Sequence, residues 1–148
     1  MTPRSVINSV HIAHLADSDY SRVAAYLREH RPQGRRSYAP YIGQVFELDE
    51  PARSVCFQDE CLLPADDRGR ARVLLLFSNA HPESIRNGMF HTAERGVADL
   101  WEDLGAAGLF FGDRGTLTDA EGLRESCLEV KYDSPFCLGF ACYWTFPT

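Results

Sequence analysis

Val73-Leu74-Leu75-Leu76-Phe77 is an unbroken apolar run, preceded by Arg70 and Arg72 and followed by Ser78-Asn79-Ala80-His81-Pro82-Glu83-Ser84. A run without alternation suits a strand covered on both faces, as in a parallel sheet flanked by helices. In open α/β sheets, ligands bind just beyond the carboxyl ends of the strands. Ser78, Asn79, His81 and Glu83 therefore form a candidate site. Asn, Pro and Ser also serve the turns of any loop, so the pattern alone leaves both readings open.

The surrounding periodicity supports an α/β chain. Tyr20, Val23, Ala24 and Leu27 recur at helical spacing, which predicts a helix from about Ser18 to His30, with N-cap candidates at Asp17 to Asp19 and a stop at Pro32 and Gly34. Between Ser37 and Asp66 the pattern is irregular, with Phe46 to Leu48 and Val55 to Phe57 as short strands or turns. Val97, Leu100, Trp101 and Leu104 form the apolar stripe of a helix between about Ala93 and Ala107. Thr118-Asp119-Ala120-Glu121 fits a capping box for a short third helix. Phe136 to Phe146 is a second buried strand. This order predicts one domain over residues 1–148, a three-layer α/β/α arrangement around a short, mostly parallel sheet. The chain stops at Phe146-Pro147-Thr148 with no covering helix after its last strand, so the expectation is either an incomplete domain lacking a C-terminal part or an unusually small sheet.

Composition narrows the class. With 45% apolar and 24% charged residues over 148 positions, the chain reads as globular. No apolar run approaches the ~18 residues of a membrane span, and the N-terminus lacks a secretory h-region. The five cysteines are odd in number and announce no disulfide framework, so a reduced, cytoplasmic monomer is expected. A net charge of −6 argues against a globally basic nucleic-acid surface. Arg28, His30, Arg31, Arg35 and Arg36 are concentrated enough to form a local basic patch, or an ordinary solvated helix end.

Val73 to Leu109 resembles the first motif of the uracil-DNA glycosylase superfamily. That motif has a buried strand ending in an Asn-containing loop, then an aromatic residue, then a helix that often carries Phe-Trp and ends near Gly-Leu. Here these are VLLLF, SNAHPES, Phe90 after Gly88-Met89, and a helix with Leu100-Trp101 before Gly108-Leu109. The final ACYWTF would be the family's second strand. The resemblance implies that Asn79 positions the attacking water, that Phe90 stacks on the flipped base and that Thr145 lies near the position that reads the uracil edge. Ser78 would line the substrate site, His81 would donate to the leaving base, and Arg31, Arg35 and Arg36 would contact DNA. The family's Pro after the Asn is Ala80 here, and its strand-end Gly is Phe77 or Ser78. His81-Pro82-Glu83-Ser84 followed by Gly88-Met89-Phe90 also resembles the superfamily's last motif, in which the His stabilises the leaving uracil. Only 80 residues precede His81, which favours the first alignment.

A base within a duplex must be extruded before chemistry, at a cost of a few kcal/mol. Stacking on an aromatic recovers roughly 1–3 kcal/mol. The expectation is excision of uracil or a related base by hydrolysis of the N-glycosidic bond, or a relative that has lost activity. The alternative is a non-catalytic module that binds a nucleotide or small molecule in the same strand-end pocket, and a third reading is a structural fragment without a site. No cofactor and no metal are expected. Cys56 and Cys61 lack Cys-x-x-Cys spacing, and His11 and His14, which could share a helix face, have no evident partner ligand. Trp101 and Trp144 are expected in the core.

Overall fold

The computed structural model describes residues 6–29, 37–90, 92–93, 96–97, 99–110 and 120–147. The apolar run forms a nine-residue strand, β6 (Ala71–Asn79), which pairs in parallel with the last strand, β9 (Phe136–Trp144). The register runs from Ala71 opposite Phe136 to Asn79 opposite Trp144. This is the only parallel ladder among the described strands.

The expected three-layer arrangement is not what forms. β1 (Val6–Ile7), β5 (Cys61–Leu63), β9 and β6 make one mixed sheet in the order β1-β5-β9-β6, while β2 (Val10–His14), β4 (Ser54–Gln58) and β3 (Phe46–Asp49) make a separate antiparallel sheet in the order β2-β4-β3. Among the described residues there is also a two-stranded piece, β7 (Thr92–Ala93) with β8 (Gly96–Val97). β6 lies at a sheet edge and only one of its faces is covered. Val73, Leu75 and Phe77 pack inward, whereas Leu74 and Leu76 are 56% and 58% exposed. An uninterrupted apolar run reports hydrophobicity and not which faces acquire a cover, so it misled here. The outer face partly closes on itself: a Cβ added at Gly139 would meet Leu63 Cδ2 at 3.0 Å and Leu74 Cδ1 at 3.5 Å.

Two hydrophobic cores follow from the two sheets. In the first, Leu138 and Phe140 of β9 pack against Trp101 and Leu104 of α3 (Asp99–Ala106) and Leu123 and Cys127 of α4 (Ala120–Leu128). In the second, Tyr20, Ala24 and Leu27 of α1 (Asp17–Glu29) pack near Phe46 and Val55 of the antiparallel sheet. Leu27 and Phe46 are fully buried, so the helical spacing of α1 identified its inner face correctly. Phe46–Leu48 and Val55–Phe57 do lie in strands. His11 and His14, in contrast, sit on β2 and not on a helix. Their spacing of three places them on opposite sides of a strand. Thr118 and Asp119 of the expected capping box lie outside the described residues.

The two sheets are joined by two chain segments running side by side. Asn8-Ser9 connects β1 to β2, and Asp59-Glu60 connects β4 to β5. The corner is pinned by backbone bonds from Asn8 N to Cys61 O (2.9 Å) and from Asp59 N to Ser9 O (2.9 Å). Asn8 Oδ1 also accepts the Cys61 N–H at 3.1 Å. Cys142 of β9 packs against both cores, which places the end of β9 beside this corner.

Candidate functional site at the end of β6

Beyond Asn79 the chain turns at Ala80 and enters a short helix, α2 (Pro82–Asn87), within the stretch expected to be a loop. His81 is its N-cap: the ring Nδ1 accepts the Glu83 backbone N–H at 3.2 Å. Pro82 at the first helical position loses nothing, since its missing N–H would have had no helical partner. Gly88 ends the helix with φ +74°, a conformation that favours glycine. An amide can only donate, so the capping bond assigns the proton of a neutral His81 ring to Nε2. His81 is exposed.

Behind the cap lies a group of acids. Glu60 is only 4% exposed, and its Oε2 accepts the His81 backbone N–H at 3.1 Å. The Cys142 sulfur stands 4.0 Å from the same oxygen. Oε1 is buried and meets no donor in hydrogen-bond geometry, and the nearby Ser84 hydroxyl points to the Thr92 carbonyl at 3.4 Å. Burial pushes the Glu60 carboxyl up from 4.5 to about 7; the His81 amide and Ser84 pull it down, and Asp59 adds to the rise. Burial first, then the Glu60 and neighbouring charges, pushes the Cys142 thiol up to about 12, so it is a neutral S–H beside the carboxylate. Asp59 is anchored by the Ser9 N–H on Oδ1 (2.5 Å) and by His11 Nε2, 3.0 Å from Oδ2.

A second buried acid holds α2 from the other side. Glu83 Oε2 accepts the Tyr41 hydroxyl at 2.5 Å, and Arg86 donates to Oε1 while its guanidinium lies 5.5 Å from the Tyr41 ring centroid. One end of α2 is thus tied to the sheet corner and the other side to the 3-10 turn at Ala39–Tyr41.

The residues singled out from sequence fall into three groups. Ser78, Asn79, His81 and Thr145 are brought to one end of the β6–β9 pair. Ala80 N donates to Trp144 O at 3.3 Å, and Ser78 Oγ donates to Asn79 Oδ1 at 2.8 Å. Ser78 and Asn79 are exposed and Thr145 is half-buried. Phe90 is in the first core, 2% exposed, with its ring 5.5 Å from Phe77 and 5.6 Å from Phe140. Trp101 Nε1 donates to the Phe90 carbonyl at 3.1 Å. Arg31, Arg35 and Arg36 lie outside the described residues. Trp101 is core as expected, whereas Trp144 is exposed at the strand end.

Glu60 escaped the sequence reading. Asp59-Glu60 is an acidic pair between the apolar runs Val55-Cys56-Phe57 and Cys61-Leu62-Leu63, and an acid so placed was the available signal. Among the described residues, no helix is long and apolar enough to cross a membrane. Comparison with known proteins gives no match to a family model, a curated protein or a solved structure, so the functional reading rests on the resemblance and the geometry together.

Proposed function

We propose that this chain is a DNA glycosylase-like protein that excises uracil or a related base at the shared end of β6 and β9. The observation that carries this reading is the last rung of the parallel ladder, Asn79 opposite Trp144. A first-motif loop is useful for base excision only if the end of the family's second strand stands beside it, and these segments are 65 positions apart in sequence. In this reading Asn79 orients the water that attacks the sugar carbon as the glycosidic bond breaks. The bonding electrons leave with the base, whose developing anion accepts a hydrogen bond from the Nε2–H of His81, and the proton that the attacking water loses passes through solvent to the released base. Arg31, Arg35 and Arg36 contribute phosphate contacts.

The test is release of uracil from a single-stranded uracil-containing oligonucleotide. Wild-type protein is expected to release the base, and Asn79→Ala to lose most of that activity. No release, combined with no DNA binding at low salt, removes the proposal.

One observation favours a second reading, a non-catalytic nucleotide or small-molecule binding module. The Phe90 ring is enclosed by Phe77 and Phe140, which leaves it without a face for a flipped base. DNA affinity that falls with salt and is lost in an Arg35→Ala, Arg36→Ala variant supports the glycosylase reading; affinity for free nucleotides without DNA binding supports the module.

A further inference from the structure

We propose that Glu60 is the positioning residue of this site, holding the backbone of His81 so that the turn from Asn79 to Pro82 is set against the end of β9. The kinetic part of its test rests on the glycosylase reading; the structural part does not.

A carboxyl with one oxygen buried and unpartnered is costly, and the general remedy in a core is an apolar residue. What Glu60 gains in return is the bond from the His81 N–H, and that amide belongs to the N-cap of α2. The groups around the carboxyl come from every neighbouring element: Asp59 and Cys61 on its own segment, His81 and Ser84 at the start of α2, and Cys142 from β9. His11 of β2 reaches it through Asp59. The arrangement joins the corner between the two sheets directly to the turn that carries Asn79 and His81.

Glu60→Gln and Glu60→Ala separate positioning from proton transfer. The Gln amide oxygen can still accept the His81 N–H but carries no proton to transfer. Expected for Gln is uracil release with kcat within about threefold of wild type and an unchanged, slow hydrogen exchange at the His81 amide. Expected for Ala is a kcat at least about tenfold lower with little change in KM, and a His81 amide that exchanges at least about tenfold faster while the Val73 and Leu138 amides stay protected. A Gln variant as impaired as Ala makes Glu60 a proton carrier and overturns the proposal, as does unchanged His81 exchange in the Ala variant. If wild-type protein releases no uracil, the exchange measurement alone decides. If the Ala variant does not fold, the position-81 amide resonance is followed in folded proteins from about pH 5 to 9. It is expected to move with a midpoint near 7 in wild type and in His81→Asn, and to stay flat in Glu60→Gln. Movement that persists unchanged in Glu60→Gln, or a position-81 amide that exchanges in wild type as fast as in an unstructured peptide, overturns the proposal.

Discussion

Asn79 and Trp144 oppose each other on the final rung of the β6–β9 ladder, and the next amide, Ala80 N–H, donates to the Trp144 carbonyl at 3.3 Å. Two segments far apart in sequence are thereby fixed to within one residue at the place where β6 gives way to α2. Parallel pairing matters because both carboxyl ends then emerge on the same side. The helix that follows, α2, is held at this end of the sheet by Glu60 on one side and by Tyr41 and Arg86 on the other.

Glu60 gives folding a definite pH dependence. Its carboxyl is raised in the folded protein from the ordinary 4.5 to about 7, so this group's contribution to folding is greatest below 4.5, where it is protonated in both states. That contribution is lost as pH rises towards and through 7. The span corresponds to on the order of 3 kcal/mol. Urea unfolding of wild type and Glu60→Gln at low and high pH is expected to show the Gln variant gaining relative stability as pH rises; parallel pH curves contradict this.

Tyr41→Phe removes a hydrogen bond to the buried Glu83 carboxylate without changing the ring. It is expected to cost about 1–3 kcal/mol, because the lost donor cannot be replaced by solvent at a buried site. Denaturant unfolding reads the difference. A double-mutant cycle with Arg86→Ala should show coupling, since both side chains hold the same carboxylate.

Phe90→Ala is expected to destabilise the fold by about 3–5 kcal/mol, the range for truncating an aromatic residue in a packed core. Phe90→Leu fills much of the space and should cost far less. Thermal unfolding of both variants decides; near-wild-type stability in the Ala variant would mean that the ring is not held between Phe77 and Phe140.

The cysteines should differ in reactivity between folded and unfolded chains. Burial pushes Cys142 up to about 12 and Cys127 still higher. Since the thiolate is the nucleophile, alkylation of both at mildly alkaline pH is expected to be at least about tenfold slower in native protein than in urea. Site-resolved mass spectrometry after timed labelling checks this, and rapid native labelling of Cys142 contradicts it.

Local order was legible where one side of an element sets its pattern. Tyr20, Ala24 and Leu27 gave α1. The last strand was readable from Phe136 onward. Sheet architecture was not, because Val73 to Phe77 has the same apolarity whether or not a helix covers Leu74 and Leu76. α2 was missed since six residues are too few to show a period. Its signals were Pro82 and the capping side chain of His81, both of which also read as loop. Among site residues, Ser78, Asn79, His81 and Thr145 share a location because strand ends attract polar residues. Glu60 needed the pairing of Cys61 with Ala141, a long-range contact that no local pattern encodes.

The most direct measurement is uracil release from a single-stranded uracil-containing oligonucleotide by wild type, Asn79→Ala and His81→Ala, with each variant's unfolding midpoint checked first. Release by wild type that falls at least about a hundredfold in Asn79→Ala and clearly in His81→Ala, with folding intact, is the predicted result. Equal release by all three proteins, or none by wild type together with no DNA binding at low salt, would contradict excision at the end of β6 and β9.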